Sequence, residues 1–201
     1  MTYASDIESL QVLERPETRR RNAEATRAAI LKAGKAHFAR SGYEGAFLRD
    51  IAADAGADAA LINRYFGGKE GLFNACLREA VRSEKLFEIE RGDFGARLAA
   101  VFASKSAPSS DESLQGFHLI LRAATSVATS HMLNEVVQER FMGPIRQWLG
   151  GEDAGVRARL FTALFVGLLV EGLIRDEPLS DPERTAFARR LASIVQSLVD
   201  Q

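Results

Sequence analysis

Apolar residues recur at three- and four-residue spacing along most of this 201-residue chain, and no segment alternates β-branched with polar residues over several positions. The pattern predicts an all-α protein. Residues 1–17 show no periodicity and include Pro16, which reads as a mobile arm. A first helix is expected from about Asn22 to Arg40, with Ile30, Leu31, Gly34 and Phe38 on one side and Ser41-Gly42 as its stop. Two short helices follow. One runs from Leu48 to Ala55 and ends at Gly56; the next takes Asp58 as its N-cap and stops at Gly67-Gly68. From Lys69 a longer helix carries Leu72, Phe73, Cys76, Leu77, Ala80 and Val81 as a stripe.

In the second half, a short helix is expected around Phe94 to Phe102, and a Ser/Pro/Asp-rich loop over Ser104 to Ser113. Leu114, Phe117, Leu121 and Ala124 mark the next amphipathic helix. Val137, Phe141 and Trp148 mark another, kinked at Gly143-Pro144. Glu152 to Arg175 is apolar on nearly every side and so should be covered on more than one face. A final helix, started by Pro182 and Glu183, carries Phe187, Leu191, Ile194, Val195 and Leu198. That makes about nine helices in all.

Composition narrows the class. With 46% hydrophobic and 26% charged residues the chain is that of an ordinary globular protein. The apolar run Leu160–Ile174 is shorter than the roughly 20 residues of a membrane span, so no membrane partner is expected. Asp6 and Glu8 stand where a signal peptide would be basic, and a lone cysteine, Cys76, fits a reducing compartment; a cytoplasmic protein is expected. The net charge of −1 conceals an asymmetry: from Arg15 to Glu70 eleven Lys/Arg face seven Asp/Glu, whereas residues 71–201 hold fifteen against seventeen. A basic first third on a mildly acidic remainder suits a small polyanion-binding module on a neutral body.

Ile51 to Asp58 joins two short helices through a turn centred on Gly56, where glycine tolerates φ > 0. Ile51, Ala52, Ala55, Leu61 and Ile62 would hold the pair together and leave the second helix's other face free. This is the outline of a helix-turn-helix, whose second helix enters the major groove. On its own the outline is common to many folds. The flanks add specificity: TRAAILKAGKAHF from Thr26 to Phe38, then Gly42-Tyr43, Asp50-Ile51-Ala52, Ala55-Gly56, and YFGGKEGLF from Tyr65 to Phe73. In that order they closely resemble the DNA-binding domain of the TetR family, over about Thr26 to Phe73. Beyond Phe73 only helix lengths and order look similar.

The resemblance implies a transcriptional repressor: a flexible arm (1–21), a helix-turn-helix domain (22–68) and a ligand-binding and dimerisation domain (69–201). It implies a homodimer paired through the last two long helices, a near-palindromic double-stranded DNA operator, and a small-molecule effector that releases it. Ala59 to Phe66 would be the recognition helix. Tyr65 and Lys69 match positions that grip phosphates, Arg49 lies near the start of the preceding helix, and Asp58, Ala60, Leu61, Asn63 and Arg64 would face bases. The chain departs from the family pattern at Ala46 and Phe47, where Thr or Ser commonly caps the second helix and touches phosphate, and at Asn63, where a tyrosine is usual.

Competing readings stand beside these. Phe66 is better read as core; Tyr65 as core or as a contact. Arg19-Arg20-Arg21 is either a solvated run or an arm that reaches a neighbouring minor groove. His37, His118 and His131 are dispersed, with no metal-ligand spacing, and no nucleophile or phosphate-loop motif appears, so no metal, cofactor or enzymatic activity is expected. His118, Arg122 and Thr125 form a polar edge beside Phe117 and Leu121: a solvated edge, or the orienting groups of a ligand pocket walled by Phe117, Leu121, Phe141 and Trp148. Few charges would point inward, so a mainly apolar effector is expected. The alternative functions are a helical small-molecule binder whose DNA-binding unit has decayed, and an enzyme on a helical bundle.

Overall fold

The computed structural model describes residues 16–81, 86, 88–104, 111–174 and 177–200. Among these there are ten α-helices and no strand: α1 (Pro16–Gly45), α2 (Leu48–Asp54), α3 (Ala59–Phe66), α4 (Lys69–Ala80), α5 (Phe94–Ala103), α6 (Asp111–Thr125), α7 (Ser130–Val137), α8 (Gly143–Leu149), α9 (Ala154–Ile174) and α10 (Asp181–Val199). A π-helical stretch, Gln138–Met142, joins α7 to α8, so the two make one rod. Pro144 causes it. It has no N–H to donate, and the Gly143 N–H reaches back five residues to Gln138 O instead of four. The irregularity expected at Gly143-Pro144 is thus a wide turn just before it.

Two helix boundaries differ from expectation. α1 begins at Pro16, a residue favoured in a helix's first turn, so residues 16–21 are helical; the rest of the expected arm, residues 1–15, lies outside the described residues. At its other end the expected stop at Ser41-Gly42 holds: Gly42, at φ 73°, breaks the helix there, and only a separate turn continues to Gly45. α6 begins at Asp111, inside the segment expected as a loop, whose residues 105–110 are not described.

The first core forms where α1 crosses α4. Ile30, Phe38, Leu72, Phe73, Cys76 and Leu77 are all buried, each large side chain contributing about 1.5–3 kcal/mol. Gly34 permits the approach: a Cβ there would stand 3.2 Å from the Leu72 side chain and 3.3 Å from Cys76 Sγ. Burial pushes the Cys76 thiol up to about 12, so it stays protonated and donates to Leu31 O at 3.6 Å. Phe38, Tyr43 and Phe73 close this end, with Phe38–Phe73 centroids 4.9 Å apart edge to face.

α6 lies across α1 and α4 and also packs on α7. With neighbours on two sides, its buried set is Gly116, Phe117, Leu119 and Ala123, while Leu114 and Leu121 are half-buried and Ala124 is exposed. The expected stripe was therefore rotated relative to the buried face. Behind it, α5 packs along α10 at Gly95, where a Cβ would fall 2.4 Å from Ala192 O. Gln196 seals that crossing, accepting from Gly95 N at 2.9 Å and donating to Arg91 O at 2.9 Å.

Two arginines close the far end. Arg91 donates to Trp148 O, Leu149 O (3.0 Å) and Val199 O (3.2 Å). Buried Arg157 donates to Gly150 O, to Leu198 O (3.1 Å) and to Asp153 Oδ1 (2.6 Å). Cations placed on the last carbonyls of α8 and α10 satisfy orphan acceptors and oppose the negative ends of both helices. At the start of α10, Glu183 accepts from the Ser180 N–H at 3.0 Å, which completes a capping box.

α9 is not covered on every side by its own chain. Val156 (63%), Leu160 (54%) and Ile174 (71%) stand exposed, and so does Ile194 (52%) on α10.

Candidate nucleic-acid interface

The α2–turn–α3 unit is built from short-range signals. α2 buries Ile51 and Ala52, and after Ala55 the Ala57 N–H returns to Ala52 O at 2.9 Å. Gly56 adopts φ 61°, the left-handed value that turn requires. Asp58 then caps α3, its Oδ1 accepting from Ala60 N at 2.7 Å. Gly67 ends α3 with φ 77° and donates to Asn63 O at 2.9 Å. α4 restarts three residues past α3 because Gly71 lets it: a Cβ there would sit 1.7 Å from Phe66 O.

Within α3 only Ile62 is fully buried, and Leu61, Tyr65 and Phe66 lean half-buried on the core. Ala60, Asn63 and Arg64, at helical spacing, form the exposed face. Of the expected base-facing residues, then, three share one open face, Leu61 sits at its margin, and Asp58 is engaged as a cap. Phe66 is half-buried rather than core, with the Arg27 guanidinium 4.9 Å over its ring.

The expected phosphate contacts are placed unequally. Arg49 is exposed near the start of α2. Tyr65 is half-buried. Lys69 reaches across to the end of α1, with Nζ 3.3 Å from Glu44 O and 4.9 Å over the Tyr43 ring. Burial, with Glu70 and Glu44 nearby, holds the Tyr43 phenol above its ordinary value, so a neutral ring faces this ammonium. A lysine in α4's first turn opposes that helix's own dipole and is held instead by this carbonyl and ring. At the start of α2, Ala46 is buried and Phe47 occupies the N-cap with no side-chain hydrogen bond, 64% exposed.

Sequence reasoning missed the contact that fastens α1 to α2. His37 Nε2 lies 2.6 Å from Asp54 Oδ2, and Arg40 Nη2 donates to His37 Nδ1 at 3.4 Å. With Nδ1 accepting, the proton sits on Nε2 and is donated to Asp54. Partners seventeen residues apart leave no spacing signal in one sequence.

Deeper in the molecule, six rings form a continuous cluster. Trp148 meets Phe94 (4.8 Å), Phe94 meets Phe161 (5.6 Å), and Phe161, Phe141 and Phe165 meet one another before Phe102 closes the row (5.5 Å from Phe165). Phe141 and Trp148, two expected pocket walls, belong to it. Phe117 is buried on α6 and Leu121 half-buried, whereas His118, Arg122 and Thr125 face outward in the single chain. Arg122 extends towards α1, its Nη1 4.0 Å from where a Gly42 Cβ would be, and Thr125 donates to Leu121 O at 3.2 Å. Phe141 springs from the π turn, whose other residues hold α4. Glu139 accepts two bonds from Arg78 (2.7 and 2.6 Å), and Arg140 donates to Val81 O at 3.3 Å.

Two family profiles match the chain: one described as bacterial regulatory proteins of the tetR family, over residues 30–76, and one described as the tetracyclin repressor-like C-terminal domain, over residues 92–199. The chain belongs to the TetR family. It is a transcriptional regulator rather than an enzyme. One relative, the HTH-type transcriptional repressor SCO4008 of Streptomyces coelicolor, is 46% identical over 59 residues, which span 29% of this chain and 31% of that protein. A TetR-family transcriptional regulator from Rhodococcus sp. shares the fold at 20% identity and TM-score 0.64, covering 88% of this chain and all of that one. NalD, the secondary repressor of the MexAB-OprM multidrug efflux pump in Pseudomonas aeruginosa, matches at 25% identity and TM-score 0.60, over 86% of this chain and 95% of its own. The TetR profile for the DNA-binding unit covers the whole of α2, the turn and α3. No helix among the described residues is long and apolar enough to cross a membrane.

Proposed function

We propose that this chain is a sequence-specific, ligand-responsive repressor of the cytoplasm that binds a near-palindromic operator as a homodimer. The observation that carries the reading is the open face of α3, Ala60, Asn63 and Arg64, presented on a helix that is capped at both ends and backed by Ile62. Arg64 suits guanine, Asn63 adenine, and Ala60 and Leu61 a thymine methyl, with Asp58 at the helix start; Arg49, Tyr65 and Lys69 take phosphates. The DNA-binding unit is residues 22–68, and residues 69–201 form the regulatory unit.

The dimer reading rests on the uncovered apolar row of Val156, Leu160 and Ile174 on α9 and Ile194 on α10. Such a row is a liability in a monomer and a natural two-fold seam between copies. It would set two recognition helices about 34–36 Å apart, one turn of DNA. For the effector, the ring cluster around Phe141 and Trp148 supplies apolar walls; Phe117 and Leu121 on α6 are the further apolar candidates, and His118, Arg122 and Thr125 the polar ones. An apolar molecule that spreads the rings displaces Phe141, hence the π turn, hence the end of α4 that Glu139 and Arg140 hold. A preference of about 1–3 kcal/mol for the displaced state is enough to shift operator affinity.

Fluorescence-anisotropy titration with duplexes from upstream of the chain's own gene tests this. Tight binding to one fragment, weakening steeply between 50 and 200 mM salt, is expected. Equal, weak binding to every fragment would leave a helical small-molecule binder as the better reading.

A further inference from the structure

Met142 closes the π turn, and its sulfur has a polar neighbour on α9. The Thr162 hydroxyl lies 3.0 Å from Met142 Sδ and 2.8 Å from Ala158 O, so its one proton is offered to a thioether and to a carbonyl. Elsewhere among the described residues sulfur is shut away. Met132 is buried on α7, and Cys76 is buried with its thiol held protonated, whereas oxidants attack thiolates. Met142 is only half-buried. Thr162 stands two residues from Leu160, and so on another side of α9 than the apolar row assigned to the two-fold seam.

Oxygen added to this sulfur does not fit the present spacing. A sulfoxide is polar, and a donor already stands beside it, the Thr162 hydroxyl. An S–O bond and a hydrogen bond of about 2.7 Å, set along a lone pair of the new oxygen, span more than the 3.0 Å now separating sulfur and hydroxyl. To take that bond, Met142 must back away from α9. The turn that moves with it carries more than Met142: Glu139 holds Arg78, and Arg140 holds Val81 O, at the end of α4. Resting on the DNA-binding reading above, we propose that Met142 is a redox-sensing site, at which a peroxide oxidises the thioether, shifts the π turn and releases the operator. The step is a two-electron transfer. The thioether sulfur attacks one peroxide oxygen and the O–O bond breaks; sulfur keeps that oxygen as the sulfoxide, and the other oxygen takes up its proton and leaves as water. Methionine sulfoxide reductases return the thioether, so the response is reversible.

The test treats the full-length protein with hydrogen peroxide and titrates it against the duplex that the reduced protein selects from random DNA. Peptide mass spectrometry locates the added oxygen. We expect it on Met142 before Met132, with affinity falling on the order of tenfold and restored by the two epimer-specific reductases together. Met142→Leu, a swap of similar volume, should bind like the reduced wild type and change by less than about twofold on the same treatment. If the leucine variant folds poorly, the cycle of loss and recovery in the wild type decides alone. Sulfoxide on Met142 with unchanged affinity would overturn the proposal and leave the DNA-binding reading intact. So would a loss that persists in Met142→Leu or that the reductases do not reverse, or a Met142 that stays a thioether while added free methionine is oxidised. Reduced protein that selects no duplex would overturn that reading and this proposal with it.

Discussion

A Cβ on Gly71 would stand 1.7 Å from Phe66 O, whereas one on Gly56 meets nothing within 4 Å and is opposed only by φ 61°. The two glycines separate steric from conformational demand. Gly71→Ala should cost about 3 kcal/mol or more in urea unfolding, because α3 and α4 must part, and Gly56→Ala about 1–2 kcal/mol. Equal costs would contradict the geometry. At Phe47 the direction reverses: Phe47→Ser supplies the hydroxyl cap that α2 lacks and should stabilise by about 0.5–2 kcal/mol. Arg64→Ala should relax base preference at one position per half-site, at about 1–3 kcal/mol, whereas Lys69→Ala should weaken binding to all sequences alike. Equal losses on specific and random DNA for Arg64→Ala would remove it as a base reader. Local signals such as Asp58, Gly67 and the Pro182-Glu183 start of α10 were legible in the sequence because each acts within about four residues. The ties His37–Asp54, Arg91–Val199 and Arg157–Leu198 were not, because no pattern in one chain records which distant carbonyl or carboxylate a side chain will meet.

Among elements, the π turn has the most consequential position, since Phe141 on one side joins the ring cluster and Glu139 on the other holds α4 through Arg78. Arg78 holds the Glu139 carboxyl below its usual range, so the pair's contribution is present above that range and is lost as pH falls through the lowered value. Glu139→Gln should therefore melt at lower temperature than wild type at pH 7, and the gap should close as pH drops below about 4. A gap independent of pH would mean that the ion pair does not anchor α4. Helix order and type were readable from periodicity, and Pro144 marked the irregular turn. The buried face of α6 was not, because a helix with neighbours on two sides buries a wider arc than its most apolar stripe indicates.

On the scale of the whole molecule, the pattern of α9 showed that it wanted cover but could not say from where. Its own chain leaves Leu160 and Ile174 exposed. Leu160→Asp or Ile194→Asp should turn a micromolar dimer into a monomer in sedimentation without unfolding it, because both positions already face water in the single chain. A wild type that sediments as a monomer would refute the seam. The regulator itself is tested most directly by selection from random duplex DNA followed by titration of the enriched sites. The account predicts one near-palindromic motif with half-sites about one helical turn apart, and a discrimination by Arg64→Ala that is lost at a single position of each half. Recovery of no enriched sequence, or of one indifferent to Arg64, would contradict it.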